Sequence, residues 1–400
     1  MKILHIIPDD KFWRPIIAIF DRLEVENEYV CIVKKEGRRF KYIDSERIIA
    51  ISEEQSVFLW KREDVDAYVF HSIPPINYDR ILTIRENRII AVVSWGYDIY
   101  YSLNGCPPLV YVDLYKPMTI KLLKQMHAVP FFLKAKRFIK RIVLNKRYRE
   151  LVEDQRRMVR NRVETRNNAL GRIDYWATVL PNEYDMIKNG LGIKARYMPF
   201  HYSGTSQSTI FPQIDVNRSF NILVGNSADP SNNHIDVVSV IRARGIENKL
   251  YLPMAYGDNL YRDRVREYLK SHAVESEIQN ELMPIGEYRQ KLLNCRVAIF
   301  GHIRQQAVGN IMICMRSGMK VFLFKDSVAF KFFKSIGSFV FSIEDELTKE
   351  EIRKPLTEKE KEVNIRNLGR FSIEGIIDRL GPIIGLMKKD TNSRIDCGIE

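Results

Sequence analysis

The chain has 400 residues, of which 45% are hydrophobic and 28% are charged, and its formal net charge is +13. This composition excludes a disordered or collagen-like chain, and no apolar run reaches the roughly 18–20 residues of a membrane-spanning helix. Five cysteines without a C-x-x-C pair predict reduced thiols instead of disulfides or a zinc site, and the length favours two domains.

The first part of the chain alternates short apolar runs with polar connections, a pattern that indicates βαβ units on a parallel sheet. Predicted strands lie at Ile3–Ile7, Tyr29–Val33, Ala67–Phe70, Ile89–Val93 and Tyr175–Leu180. Predicted helices lie at Phe12–Arg22, at Tyr78–Arg85 and from Pro181 to about Lys188. Together these elements predict an N-terminal domain over residues 1–212.

A basic block interrupts this domain. Residues 116–166 contain 16 Lys and Arg against 4 Asp and Glu, so the block carries +12 of the net charge of +13. Apolar residues at helical spacing, flanked by cations, predict a helical insertion that binds an anionic membrane surface. The expected membrane-binding residues are Lys134, Lys136, Arg137, Phe138, Lys140 and Arg141.

Two other interpretations of the basic block remain open. The helix could present a solvated face and pack on the protein body by its apolar stripe. Nucleic-acid binding is the second alternative, but aromatic residues are not regularly interleaved with the cations, as single-strand binding requires. No nucleic-acid partner is therefore predicted.

Ser203–Asn217 is rich in Ser, Thr, Pro and Gln and predicts a linker, after which a second alternating set defines a C-terminal domain over residues 218–375. Its predicted strands are Ile222–Val224, Lys249–Leu252, Arg296–Phe300 and Lys320–Phe324. Its predicted helices are His234–Arg244, Tyr261–Ser271, Ile285–Leu293 and Asn310–Ser317. Residues 376–400 form a C-terminal segment that continues a last amphipathic helix, Ser372–Lys388, with a kink expected at Gly381-Pro382.

The turn after the strand Ile222–Val224 has the composition of an anion site. Gly225 ends the strand, small polar residues follow, and a helix is predicted from about His234. The free N–H groups and the dipole of a helix start favour a phosphate at such a turn. An ordinary βα connection capped by Ser or Asn is the alternative.

A second predicted anion site follows the strand Arg296–Phe300. Arg304 offers a planar fork that matches phosphate oxygens, and Gly309 permits close approach of a ligand. A surface salt bridge is the alternative for Arg304. The expected nucleotide-binding residues of the C-terminal domain are Gly225, Asn226, Ser227, Asp229, Asn232, His234, Tyr256, Gln305, Gln306, Gly309, Asn310 and Asp326.

Asp98 follows a predicted strand of the first domain and is a candidate general base for an acceptor hydroxyl. A turn aspartate or helix N-cap is the alternative. His71, at the end of the preceding strand, competes for the same role, although a lone histidine there also fits a structural position. The predicted catalytic residues are thus Asp98, Arg304 and His71, and no metal site or cofactor is predicted.

Several of these segments resemble a known family in their order and spacing. They are Trp95-Gly-Tyr-Asp98, Ile222–His234, Pro253–Tyr256, Tyr288–Cys295 and Arg304–Gly309. The chain resembles glycosyltransferase family 56, the bacterial 4-acetamido-4,6-dideoxygalactosyltransferases. The resemblance implies an α/β fold of GT-B type, with two Rossmann-like doubly wound domains facing a central cleft. It departs from the family pattern at Ala307 and Asn310, where the family has Gly and Thr.

The resemblance also implies a reaction. It is the transfer of a Fuc4NAc-like deoxyamino sugar from a dTDP-sugar on the C-terminal domain to an undecaprenyl-diphosphate-linked saccharide on the N-terminal domain. The family acts in surface polysaccharide synthesis, as in enterobacterial common antigen made on lipid II. The implied location is peripheral, on the cytoplasmic face of the bacterial inner membrane. Open alternatives are another nucleotide sugar for O-antigen or capsule, a non-catalytic membrane-associated assembly partner, and an RNA-binding protein.

Overall fold

Two separate parallel β-sheets organise the chain. A computed structural model describes residues 1–34, 40–126, 145–202, 209, 211–215 and 221–396. Unit 1 comprises Met1–Tyr111, Arg137–Gln207 and Arg370–Glu400, and unit 2 comprises Val112–Lys136 and Ser208–Gly369. The units differ from the predicted domains, since residues 112–136 and 208–212 group with unit 2 and residues 370–400 group with unit 1.

Unit 1 contains a seven-stranded sheet. Its strands are β1 (Lys2–Ile6), β2 (Glu26–Val33), β3 (Ile48–Ser52), β4 (Ala67–Phe70), β5 (Ile89–Val93), β6 (Tyr175–Ala177) and β7 (Arg196–Tyr197). They are ordered β3-β2-β1-β4-β5-β6-β7, and all neighbouring pairs are parallel. Every residue of β4 and β5 is buried, because helices cover both faces of a parallel sheet of this kind.

The helices of unit 1 follow the strands in alternation. They are Trp13–Phe20, Glu53–Ser56, Ile76–Thr83, Tyr97–Tyr100, Asn145–Gly171, Pro181–Leu191 and Ile373–Asp396, with a 3-10 turn at Leu59–Lys61 and another at Gly369–Phe371. The last helix returns to unit 1 and continues through Pro382. It buries Ile376, Leu380 and Ile384 in the core of this unit. This regular apolar spacing explains why the chain's C-terminal helix belongs with the first sheet.

Unit 2 repeats the topology of unit 1. Its strands are β8 (Asn221–Val224), β9 (Leu250–Pro253), β10 (Ser276–Gln279), β11 (Cys295–Phe300), β12 (Lys320–Leu323) and β13 (Phe341–Ser342). They are ordered β10-β9-β8-β11-β12-β13, again all parallel. The first six strands of unit 1 have the same order, which is that of a Rossmann sheet. Each sheet therefore has one reversal of strand order, between β1 and β4 and between β8 and β11.

The helices of unit 2 alternate with its strands. They are Pro117–Met126, His234–Ala243, Asn259–Ser271, Ile285–Leu293, Val308–Arg316, Val328–Ser335, Lys349–Arg353 and Glu358–Leu368, with a 3-10 turn at Pro230–Asn232. Most strands and helices predicted from the sequence are present. The four edge strands β3, β7, β10 and β13 were not predicted, and the predicted strand Tyr175–Leu180 ends at Ala177. Among the described residues, no helix combines the length and the apolar character needed to cross a bilayer.

The helix Pro117–Met126 shows why the start of the basic block groups with unit 2. The carboxylate of Asp236 accepts hydrogen bonds from the backbone N–H groups of Met118 at 2.8 Å and Thr119 at 2.9 Å. It also accepts one from the Thr119 hydroxyl at 2.7 Å. Met118 and Leu122 pack against the core of the unit. Asp236 thus caps a helix that lies 117 residues earlier in the sequence.

Replacing Asp236 with Ala should therefore destabilise unit 2. The variant leaves the N–H and hydroxyl groups of the fully buried Thr119 without their acceptor, which should cost about 2–3 kcal/mol of unfolding free energy. Urea unfolding measures this difference. Asp263→Ala, which removes an exposed pair with Arg266 in the same unit, is the control and should cost less than about 0.5 kcal/mol. Equal stability of the two variants would contradict the capping role.

Candidate anion-binding site

The reversal of strand order in unit 2 coincides with the two segments that the sequence singles out. In doubly wound sheets, ligands bind beyond the carboxyl ends of the strands where the order reverses. The chain leaves β8 at Gly225 and leaves β11 at Gly301, and both strands end at this point. We refer to residues 225–234 and 301–310 together as the cradle.

Two glycines allow the two turns of the cradle to pack closely. Gly225 has φ +70°, and a Cβ there would lie 2.6 Å from both Asn232 Oδ1 and His234 Nε2. A Cβ at Gly301 would collide with the carbonyl oxygen of Asn232 and lie 2.8 Å from a methyl group of Val237. Any side chain at either position would push the turns apart.

A buried amide and histidine network joins the two turns. Asn232 Oδ1 accepts the backbone N–H of Asn226 at 2.9 Å and lies 2.8 Å from His302 Nε2. Asn226 Oδ1 lies 3.1 Å from the same nitrogen. Because both neighbours are acceptors, the hydrogen-bond pattern assigns the ring proton of His302 to Nε2.

The other nitrogen of this ring, His302 Nδ1, is buried and has no hydrogen-bond partner among the described residues. Burial, followed by the positive charges of Arg304 and His234, lowers the pKa of His302 well below its usual value. The ring is therefore neutral at physiological pH. Its role in the cradle is to hold two asparagine side chains in one orientation.

The glutamine side chains extend this network. Gln306 Oε1 lies 2.5 Å from the hydroxyl oxygen of Ser231, and Gln306 Nε2 donates to Asn226 Oδ1 at 3.4 Å. Gln306 thus bridges the turn after β11 and the turn after β8. Gln305 Oε1 is buried without a partner among the described residues.

Arg304 places a positive charge within this network. Its side chain is 8% exposed, and Nη1 donates to the carbonyl oxygen of Gln305 at 2.9 Å. Its charge lowers the pKa of His302 and opposes the rise that burial causes in the pKa of Tyr256. The guanidinium charge therefore acts on the turn after β11 and on Tyr256.

A helix start completes the site. The helix Val308–Arg316 follows Ala307, which has φ +56° and provides no side-chain cap. A left-handed conformation at a residue other than glycine costs roughly 1–2 kcal/mol. Gly309 is exposed, and nothing lies within 4 Å of where its Cβ would be. Half-buried Asn310 follows in the same first turn. Because the helix begins four residues after Arg304, its uncapped N-terminus adjoins the segment that carries this arginine.

The remaining predicted residues of the first turn build its shape. Asp229 accepts the N–H of Ser231 at 2.8 Å and the hydroxyl of Ser231 at 2.6 Å. Ser227 Oγ accepts an N–H of Asn232 at 3.1 Å. His234 is fully buried, and burial lowers its pKa to about 3. These side chains hold the turn together from within.

Two further predicted residues lie outside these turns. The hydroxyl of Tyr256 accepts an N–H of Asn226 at 3.0 Å, and the residue remains 49% exposed, so Tyr256 joins the cradle. Asp326 pairs with Lys116 at 2.8 Å and keeps half of its side chain exposed. The structure therefore unites Tyr256 with the cradle and engages Asp326 with a different partner.

The predicted catalytic residues Asp98 and His71 lie in unit 1. Both oxygens of Asp98 accept backbone N–H groups, from Trp95 at 2.8 Å and from Ile73 at 3.0 Å, and burial raises its pKa to about 6. His71 Nε2 lies 3.0 Å from His5 Nδ1 in the core. Burial lowers the pKa of His71 well below its usual value. Their catalytic roles stay predictions.

The predicted membrane-contact residues lie outside the described part of the chain. They are Lys134, Lys136, Arg137, Phe138, Lys140 and Arg141. Over the residues that the structure does describe, no group of three or more His, Cys, Asp or Glu side chains is arranged to hold a metal ion.

His302 and Asn233 were missed by the sequence analysis. His302 directly follows Gly301, where the strand ends. This position after a strand is the feature of the sequence that could have indicated its role. Asn233 donates from Nδ2 to the carbonyl oxygen of Gly301 at 2.7 Å, and its Oδ1 accepts the N–H of Lys116 at 2.8 Å. These contacts join segments distant in sequence, so no local pattern indicates them.

A family model described as "4-alpha-L-fucosyltransferase glycosyl transferase group 56" matches residues 143–373, which include the whole cradle. Among solved structures, sucrose-phosphate synthase from Thermosynechococcus elongatus is 11% identical over 97% of this chain and 99% of its own, with a TM-score of 0.59. Anabaena HepE in complex with UDP is 10% identical over 96% of this chain and 100% of its own, with a TM-score of 0.58. The lipopolysaccharide outer core galactosyltransferase WaaB is 11% identical over 100% of both chains, with a TM-score of 0.51. These likenesses confirm the expected GT-B fold.

The buried Gly225 and the exposed Gly309 should respond in opposite ways to replacement by alanine. Gly225→Ala adds both a left-handed strain and a close contact, and should lower the unfolding free energy by about 2–4 kcal/mol. Gly309→Ala meets open space in a helix, and should leave stability unchanged or raise it by up to about 1 kcal/mol. Chemical denaturation of both variants provides the comparison. A Gly225→Ala variant as stable as Gly309→Ala would contradict the packing described for the cradle.

Proposed function

The chain belongs to the family "4-alpha-L-fucosyltransferase glycosyl transferase group 56", and from this premise we propose which sugar it transfers and to what. The enzyme is a glycosyltransferase with a GT-B fold. In our proposal it moves a Fuc4NAc-like deoxyamino sugar from a dTDP-sugar to an undecaprenyl-diphosphate-linked saccharide. Unit 2 binds the donor and unit 1 binds the acceptor.

The observation that carries this proposal is the uncapped helix start beside Arg304, at the strand reversal of unit 2. Sugar transfer releases a nucleoside diphosphate, so negative charge grows on the leaving group. Arg304, the backbone N–H groups of residues 305–307 and the Asn226–Ser227 turn stabilise that charge. One preorganised donor of this kind lowers a barrier by roughly 3–4 kcal/mol.

The other elements of the proposal concern the location and the acceptor. The +12 charge of residues 116–166 supports a peripheral position on the anionic cytoplasmic face of the inner membrane. A lipid-linked acceptor is embedded in that surface, so the same charge would bring the enzyme to its substrate. The reaction belongs to the synthesis of bacterial surface polysaccharide.

Thermal unfolding with added nucleotides tests the donor. We expect dTDP to raise the melting temperature and UDP and GDP to leave it unchanged, because a ligand at about 100 times its Kd stabilises by about 2.7 kcal/mol. Stabilisation by UDP or GDP alone would contradict the dTDP donor. No stabilisation by any of the three would contradict a nucleotide site in unit 2.

Arg304→Ala tests the role of the guanidinium. We expect kcat to fall about a hundredfold or more while the fold survives, because the diphosphate loses a charged hydrogen-bond donor in the transition state. Steady-state kinetics of dTDP release measure the effect. Arg264→Ala, which removes an exposed arginine paired with Glu267 in the same unit, is the matched control and should retain its turnover. Normal turnover of Arg304→Ala would remove this assignment.

A further inference from the structure

In unit 1, the loops near the reversal of strand order contain aspartates. In unit 2, the corresponding loop after β11 contains the cation Arg304. The order of strands reverses between β1 and β4, so a ligand site is expected beyond their carboxyl ends. After β1 the chain runs through Asp9 and Asp10, and Asp98 follows β5. The three carboxylates differ in what their oxygens contact.

Asp9 has a structural role. Its two oxygens accept backbone N–H groups from Lys41 at 2.7 Å, Tyr42 at 2.9 Å and Ile43 at 3.3 Å. These bonds tie the segment before β3 to the end of β1. Asp98 has a similar role, since each of its two oxygens accepts a hydrogen bond from a backbone N–H group.

Asp10 differs from both of these neighbours. Its Oδ1 is buried and has no hydrogen-bond partner among the described residues, while the residue as a whole is half-buried. Burial raises the pKa of Asp10, against the charge of Lys11 and the N–H groups of Lys11 and Phe12. An unsatisfied buried oxygen lowers the stability of the fold. Such a group calls for an explanation, and a ligand that donates to it is one.

Aromatic side chains surround this end of the sheet. The rings of Phe12 and Trp95 meet edge to face with their centroids 5.2 Å apart. The centroids of the Trp95 and Tyr202 rings are 4.6 Å apart. Tyr97 is 40% exposed. Burial, then the charges of Asp98 and Asp10, raise the pKa of Tyr97 to about 12.

This combination of rings and a carboxylate suits a saccharide. The C–H face of a sugar packs on an aromatic ring, while its hydroxyls need polar acceptors. Phe12 and Trp95 are both half-buried, so part of each ring can meet a ligand. A sugar hydroxyl on these rings would find Asp10 Oδ1, which accepts no hydrogen bond from the described residues, as its acceptor.

We propose that Asp10 is the general base of the transfer and that the acceptor saccharide packs on Phe12, Trp95 and Tyr97. This inference rests on the proposed function. The acceptor hydroxyl gives its proton to the Asp10 carboxylate as its oxygen bonds to the anomeric carbon of the donor. The bond from that carbon to the diphosphate oxygen breaks, and its electron pair leaves with the diphosphate. Asp10 later releases the proton to water.

Asp10→Asn tests this assignment against Asp98→Asn. Turnover is followed as dTDP release from the dTDP-sugar, with a soluble polyprenyl-diphosphate-linked disaccharide as acceptor and with water as the slower acceptor. We expect Asp10→Asn to lower kcat by about a thousandfold with little change in donor KM, as for loss of a general base. Asp98→Asn should cost less activity and more stability. The matched control is Asp44→Asn, an exposed aspartate of unit 1 paired with Arg14, which should keep wild-type kinetics.

Chemical rescue separates catalysis from structure. Added formate should restore part of the activity of Asp10→Ala, because a small carboxylate can replace the missing base, and a purely structural aspartate would show no rescue. This readout also serves if Asp10→Asn folds poorly. Near-normal kcat in Asp10→Asn, or Asp10→Ala that folds but is not rescued, would overturn the assignment. Failure of the proposed function would show instead in the wild type, as absence of stabilisation by dTDP.

Discussion

The close approach of two chain turns, one after β8 and one after β11, is the constraint on which the rest of unit 2 depends. It exists because Gly225 and Gly301 lack side chains that would meet the chain around Asn232. Once the turns are in contact, Asn226 and Asn232 share the single N–H of the His302 ring. That neutral, buried network then fixes the direction in which the Arg304 segment and the following helix leave the sheet.

The two sheets have the same strand order but opposite chemistry at their reversals. In unit 2 the reversal carries an arginine and an uncapped helix start, which suit an anionic leaving group. In unit 1 it carries aspartates among aromatic rings, which suit a sugar hydroxyl that must lose a proton. One topology thus supports both halves of a glycosyl transfer, because the side chains beyond the strand ends decide the chemistry.

The sequence predicted those features that depend on local pattern. Buried strands such as β4, β5 and β11 appear as apolar runs, and glycine followed by small polar residues marked the turn at 225–234. The edge strand β10 was missed because its residues Ser276–Gln279 are all half-buried and mostly polar. The start of the basic block was assigned to the N-terminal domain, because only the contact with Asp236 shows that the helix Pro117–Met126 belongs to unit 2.

The sequence indicated some residues of the cradle and not others. Arg304 and Gln306 stand in a recognisable segment, but His302 acts through asparagines some 70 and 76 positions away. Asp10 could not be distinguished from Asp9 in the sequence, because the difference lies in which backbone N–H groups reach each carboxylate. Contacts of this range follow from the assembled sheet and not from spacing along the chain.

The central claim is that the cradle of unit 2 binds a diphosphate through Arg304. The most direct measurement is calorimetric titration of dTDP and of thymidine into the wild type and into Arg304→Ala. We expect the wild type to bind dTDP at least about a hundredfold more tightly than thymidine, and the variant to lose most of that difference with its thymidine affinity unchanged. A dTDP-to-thymidine affinity ratio that is the same in both proteins would contradict the claim.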